Sequence, residues 1–230
     1  CSQSRGLGDV YKRQPCNCQY VNVTNLDNSK RNDIIEAAFT QFIQYGFQKT
    51  TMADIAVATG ISRPSIYTYF ENKEEIFKAT SIWTNDLSHE KVKKILDNDH
   101  EDWKISKKIE AALFEHYGRL LEITRSPHGS EIYDEHNRLC GEIAQQNTKN
   151  LRNLLTQALI KADENGEINF ASISSSAQSS AEILQMSAVG LKSELPPVKT
   201  FKKRISAFVE IFFAGLENPT DDKPALAKAV

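Results

Sequence analysis

The sequence predicts an all-α fold, a small three-helix head containing a helix-turn-helix followed by a larger helical body. Three observations predict it. Apolar residues recur at helical spacing from Ile34 almost to the end of the chain, and no run alternates apolar and polar residues for the length of a strand. Only 10 glycines and 7 prolines interrupt 230 residues. With 40% hydrophobic and 25% charged residues, the composition is that of a chain able to bury a sizeable core.

Residues 1–28 are read as an extension outside the fold, disordered or non-native. Their first stretch, CSQSRGLGDVYKRQ, has neither helical periodicity nor the apolar centre of a signal peptide. The first helix is expected from about Ser29, where Ile34, Ile35, Ala38, Phe39, Phe42 and Ile43 form one broad apolar stripe. Gly46 then stands where a left-handed residue ends a helix. Thr51 is placed to cap a second helix that opens at Met52, with Asp54 completing an acidic capping box. Gly60 follows nine residues after that cap and supplies a tight turn. Ser62 caps a third helix over residues 62–70, with Pro64 tolerated in its first turn. Ile66 and Phe70, four apart, anchor one face of it.

Two helices joined by a short glycine turn make a helix-turn-helix. In that motif the second helix enters the major groove with its N-terminal residues on base edges, while capping and first-helix residues sit on phosphates. Residues 62–70 carry Arg63, Ser65, Tyr67, Thr68 and Tyr69 and no acid, a donor-bearing surface suited to bases and phosphates. Spacing alone also fits a plain helical hairpin with half-buried tyrosines. Bulk charge does not decide between them. The net charge is −2, and residues 30–78 hold six basic and six acidic side chains, so only the segregation of charge favours DNA.

Residues 34–77, IIEAAFTQFIQYGFQKTTMADIAVATGISRPSIYTYFENKEEIF, closely resemble the N-terminal domain of the TetR/AcrR family of transcriptional regulators. Tyr45-Gly46-Phe47, Thr50-Thr51, Ile55-Ala56, Gly60-Ile61-Ser62, Tyr67-x-Tyr69-Phe70 and Asn72-Lys73-Glu74-Glu75 each stand where that family's pattern has such residues. Pro64-Ser65 departs from it, since the family more often has a small residue followed by threonine or alanine. The resemblance implies a DNA-binding domain over 29–77, a helical ligand-binding and dimerisation domain over 78–217, and a flexible tail over 218–230. It further implies a homodimer that binds a palindromic double-stranded operator, acts as a repressor or an activator, the repressor being the leading reading, and is released by a small-molecule effector. Carried over residue by residue, it puts Lys30, Arg31, Thr50, Thr51, Tyr67, Tyr69 and Lys73 on the DNA backbone. Arg63, Ser65 and Thr68 approach base edges, and Ser62 and Pro64 belong to the same surface. The competing reading is a helical interaction protein that keeps the helix-turn-helix as scaffold, without effector-controlled DNA binding.

Asn72 with Glu75 reads as the cap and reciprocal partner of a fourth helix running to about Asp97, before a polar break over residues 97–102. A fifth helix, with Trp103, Ile109 and Leu113 on its pattern, ends near Ser126-Pro127-His128-Gly129. A long helix is expected over 132–165, stopped by Gly166, then one over 172–192 and a last one over 198–216, the two separated by Pro196-Pro197. In that last pair, Ala177, Ala181, Leu184 and Ala188 form a stripe of mostly small residues and Phe208 and Phe212 belong to a large apolar one. The resemblance makes these the dimer interface, although periodicity equally allows an intramolecular core. Trp103, Phe114, Tyr117, Tyr133 and Cys140 are candidates to line a ligand pocket among the central helices, where plain core packing is the competing reading.

Other classes find no support. The chain has no glycine-rich phosphate loop, G-x-S-x-G, H-E-x-x-H or C-x-x-C, so neither an enzyme nor a cofactor is expected. Three of the four cysteines, Cys1, Cys16 and Cys18, crowd the first 18 residues, and no histidine precedes His89, so no metal site is expected. No apolar run approaches the roughly 18 residues of a membrane helix, which points to a cytoplasmic protein without a membrane partner.

Overall fold

In this computed structural model, residues 23–97, 102–172 and 175–216 are described, and they form nine α-helices and one 3₁₀ turn with no strand among them. The expectations for residues 1–22, for the centre of the polar break and for the tail lie outside the described residues.

The head is built from α1 (Val23–Tyr45), α2 (Met52–Thr59), α3 (Arg63–Ile66) and the start of α4 (Lys73–Asp97). α1 begins at Val23, so residues 23–28 are helical and not part of an unstructured extension. Nothing in VTNLDN breaks a helix, and extending one already nucleated costs far less than starting it. Gly46 ends α1 at φ 85°, and a Cβ there would run into the Glu131 carboxylate. Phe42, Phe47 and Phe77 close the centre of the head in one aromatic cluster, with ring centroids 5.1–5.5 Å apart. Ile34, Ile55, Ile66 and Phe70 complete it without exposure of more than 1%.

α4 leaves the head and packs along α5 (Ile105–Thr124) in the body, so the expected boundary after residue 77 falls inside a continuous helix. Asn72 Oδ1 accepts the Glu75 N–H at 2.8 Å as predicted, but the Glu75 carboxylate takes the Glu71 N–H instead of the cap's own. α6 (Gly129–Leu139) and α7 (Gly141–Glu164) replace the single long helix expected over 132–165. The chain breaks at Cys140, φ −121° and ψ 21°, because that side chain is buried in the head core while α7 runs into the body. Gly129 can open α6 because the Thr124 carbonyl fills the space a Cβ would need.

After a 3₁₀ turn at Phe170–Ser172, α8 (Ala177–Leu191) packs on α7 and α9 (Val198–Phe213) on α5. Here the dimer reading needs correction. Ala181, Leu184 and Ala188 are fully buried within the single chain, in one core with Leu155, Phe201 and Ile205. Their small size brings α8 close to its own neighbours. Ala177, Phe208 and Phe212 are half-buried at the edge of that core. The apolar residues left on the outside of the pair are Ile183, Met186, Val189 and, 76% exposed, Ile211.

Candidate nucleic-acid interface

The helix-turn-helix is held by caps that its sequence encodes. Thr51 Oγ1 accepts the Asp54 N–H at 3.2 Å, and Asp54 Oδ2 accepts both the Thr51 N–H at 2.9 Å and the Thr51 hydroxyl at 2.7 Å. Those bonds, the hydroxyl's first, hold the Asp54 carboxyl below its ordinary pKa. At the other end of α2, Gly60 takes φ 71°, and the Ile61 N–H reaches back to the Ala56 carbonyl at 3.0 Å. Ser62 caps α3 by accepting the Ser65 N–H at 3.2 Å.

α3 is shorter than the nine residues expected. Its α-helical part spans only Arg63–Ile66, after which the Thr68 and Tyr69 N–H groups bond three residues back, to Ser65 and Ile66. The Thr68 hydroxyl also donates to the Ser65 carbonyl at 2.7 Å, tightening the turn. Ile66 and Phe70 insert into the head core as predicted. They leave Ser62, Arg63, Pro64, Tyr67 and Thr68 exposed, with Ser65 and Tyr69 half-buried beside them. This is a solvent-facing surface without an acidic residue at the end of a rigidly capped motif.

The basic residues around it divide into two kinds. Arg31 of α1 stacks its guanidinium 4.6 Å from the Phe70 ring centroid, which sets a cation beside the α3 turn. Lys30, one residue earlier, lies 3.5 Å from Asp33 and is half-buried. Lys73 instead points inward: its ammonium donates to the Phe47 carbonyl at 2.7 Å and to the Gln48 carbonyl at 3.3 Å, and lies 4.3 Å from the Phe47 ring centroid. Two of its three protons therefore tie the α1–α2 turn to α4. Thr50 is corrected outright, since it is buried and its hydroxyl donates to the Gly46 carbonyl at 2.6 Å. It holds the turn and offers no side chain to a phosphate. Lys49, which sequence reasoning passed over, is exposed two residues ahead of the Thr51 cap, and that position was the signal for it.

The turn is also gripped from the body. The Gln48 N–H donates to Glu131 at 2.6 Å and the Gln48 side-chain amide to Glu135 at 2.7 Å, both carboxylates standing on α6. Other side chains of α6, Ile132, Tyr133 and His136, line a void of about 250 Å³ against Phe39, Phe42 and Phe77 of the head. His136 is shared with a second void of about 380 Å³ among α4, α5, α7 and α8, lined by His116, Tyr117, Asn147, Met186 and Lys192. Burial first, then His89 and Lys192, pushes the His116 pKa down to about 4, and burial pushes the Tyr117 hydroxyl up to about 12.

Of the predicted pocket residues, Tyr117 and Tyr133 line these voids and three do not. Phe114 stacks on Phe201, at 6.3 Å between centroids, and faces a separate surface cleft. Trp103 precedes α5, its ring 5.9 Å from the Lys107 ammonium. Cys140 belongs to the head core, where a small apolar side chain packs. Ser88, Arg152, Gln185 and Lys192 lie on the lining unforeseen, because polar residues among apolar ones in a helix look like its solvent face. Among the described residues, no group of three or more His, Cys, Asp or Glu is placed to hold a metal, and no helix is long and apolar enough to cross a membrane.

Residues 34–80 match the family profile described as "Bacterial regulatory proteins, tetR family". The match is confined to the head, which is similar to the DNA-binding domain of that family. Its TetR-type head is 49% identical over 47 residues to the "Probable acrEF/envCD operon repressor" of Escherichia coli (strain K12), covering 20% of this chain and 21% of that protein. The match thus spans about a fifth of the curated relative's length. In fold the likeness runs further. A TetR-family transcriptional regulator from Pectobacterium atrosepticum superposes with a TM-score of 0.62 at 16% identity, over 84% of this chain and 96% of that one. A SmeT–triclosan complex does so with a TM-score of 0.59 at 17% identity, over 88% and 98%. At such identities these structures show a shared all-α architecture, an N-terminal helix-turn-helix on a larger helical domain.

Proposed function

We propose that this protein is a ligand-responsive transcriptional repressor that binds a palindromic operator as a homodimer and releases it on binding a small molecule. The observation that carries this reading is the exposed, acid-free surface of residues 62–69, fixed to the head by Ile66 and Phe70 and flanked by Arg31 and Lys49. Arg63, Ser65 and Thr68 face base edges in this reading, while Tyr67, Thr51 and the cations of α1 hold phosphates. Lys73 has one proton left for a phosphate after anchoring the turn.

A reading head of this size needs a second copy. The outer face of α8 and α9, with Ile183 and Ile211 exposed and Phe208 and Phe212 at its edge, fits self-association across a two-fold axis. It replaces the small-residue stripe as the interface. Two heads would then read half-sites roughly 34–36 Å, or a multiple, apart. The SmeT–triclosan complex shows a protein of this architecture holding a small organic molecule, and in this reading the effector of the present chain occupies the voids bordered by α6 and α8.

Fluorescence anisotropy with the DNA upstream of its own gene tests the proposal. Tyr67→Ala is expected to weaken binding about tenfold or more, as good contacts are worth about 1–3 kcal/mol, and affinity should fall steeply with salt. Because Tyr67 is 44% exposed and outside the core, folding should be unchanged. Affinity equal to that of the unaltered protein, or binding indifferent to salt, overturns it.

A further inference from the structure

We propose that the void of about 380 Å³ beside Lys192 takes an amphipathic organic anion, its charged end on Lys192 and Arg119 and its apolar part running toward the head; this rests on the effector-site reading above.

The lining is unbalanced in charge. Lys192, Arg119 and Arg152 border the void, and neither void has an aspartate or glutamate among its lining residues. Arg152 is already neutralised, by Glu182 at 3.1 Å, and donates to Gln185 at 3.0 Å. No described carboxylate lies within ion-pairing distance of Lys192 or Arg119. Lys192 is partly buried, 5.9 Å from the Tyr117 ring centroid, and burial lowers its pKa with no anion to oppose it. The same ammonium helps keep His116 neutral. A partly buried cation facing an empty-sided positive field is most stabilised by an anion brought to it.

The rest of the space determines the shape. Leu120, Ile123 and Ala144 border both voids, which are therefore neighbours. The lining away from Lys192 becomes apolar, ending on Phe39, Phe42 and Ile43 of the head. A charged head with an aromatic or aliphatic body of a few hundred cubic ångströms suits this lining, whereas a free inorganic anion would leave the apolar part unfilled.

The test uses two probes of the same ring system, 1-anilinonaphthalene-8-sulfonate and its uncharged analogue N-phenyl-1-naphthylamine, titrated by fluorescence into the full-length protein. The sulfonate should bind one per chain and about tenfold tighter than the neutral probe. Lys192→Gln should remove most of that preference while leaving the neutral probe within about twofold. Ala144→Trp, which fills the junction of the voids, should abolish binding of both. Equal affinities, or a sulfonate affinity untouched by Lys192→Gln, overturns the assignment. Adding the sulfonate to the protein–DNA complex separates the two readings: anion binding that depends on Lys192 without DNA release upholds the anion site and overturns its effector role.

Discussion

Lowering the pH from about 7.5 to about 5 should cost the fold about 2 kcal/mol through His116 alone. The imidazole sits among α4, α5 and α8, with the Ser88 hydroxyl 3.1 Å from Nδ1 and the His89 ring stacked at 5.9 Å. Burial, His89 and Lys192 all oppose its protonation, which lowers the pKa from 6.5 to about 4 in the folded chain. Between those two values the unfolded chain binds the extra proton and the folded chain does not, so stability rises with pH there. The full stability is present above the unfolded pKa and is lost as pH falls towards the folded one. At about 1.36 kcal/mol per unit the limiting loss is roughly 3 kcal/mol, and about two-thirds of it is reached by pH 5. His89 and His136, whose pKa values burial also lowers, act in the same direction. The assay is urea denaturation followed by circular dichroism at both pH values, for the unaltered protein and for His116→Asn, whose amide can keep the bond to Ser88. The variant should lose clearly less stability on acidification. If both proteins lose the same amount, His116 is not held neutral by its surroundings and the reasoning fails.

Three further outcomes follow from local geometry. Thr51→Ala removes the hydroxyl that accepts the Asp54 N–H and donates to the Asp54 carboxylate, leaving only the backbone N–H of residue 51 bonded to Asp54, and should lower unfolding stability by about 1 kcal/mol in urea. Gly129→Ala forces a methyl into the Thr124 carbonyl and should destabilise by about 1–3 kcal/mol, with a lowered midpoint in thermal melts. Ile211→Glu, at a site 76% exposed in the single chain, should leave the melt of the protomer intact, yield monomers in analytical ultracentrifugation and weaken operator binding; a variant that stays dimeric rules that face out.

The head was legible in the sequence because its determinants are local. A cap such as Thr51 with Asp54, a left-handed glycine such as Gly60, and the four-residue spacing of Ile66 and Phe70 each act within one helical turn, and the structure realises all three. What was misread depends on partners far along the chain. Cys140 breaks the expected long helix because its side chain finds the head core, a contact with no trace in the spacing around it. Ala181, Leu184 and Ala188 form a true stripe, but periodicity carries no record of whether a stripe meets its own chain or a copy. Lys73 and Thr50 fit a DNA-contact pattern by identity, but the Thr50 hydroxyl is taken up within its own turn by the Gly46 carbonyl, and the Lys73 bonds to that turn appear only once α4 is folded against it.

Those same two residues show where an effector would have to act under the proposed function. The α1–α2 turn is held from inside the head by Lys73 and Thr50, and from the body by Glu131 and Glu135 of α6 through Gln48. Other residues of α6, Tyr133 and His136, form the wall of the apolar void. A ligand shifts an equilibrium only as far as its affinities for the two states differ. Filling that void must therefore favour one seat of α6 over another for DNA affinity to change. Hydrogen bonds to charged groups contribute about 1.5–3 kcal/mol, so losing one carboxylate's hold on Gln48 matches the 1–3 kcal/mol typical of coupling between distant sites. The surface of residues 62–69 need not deform at all: its caps keep it rigid, and only its placement relative to the body would alter.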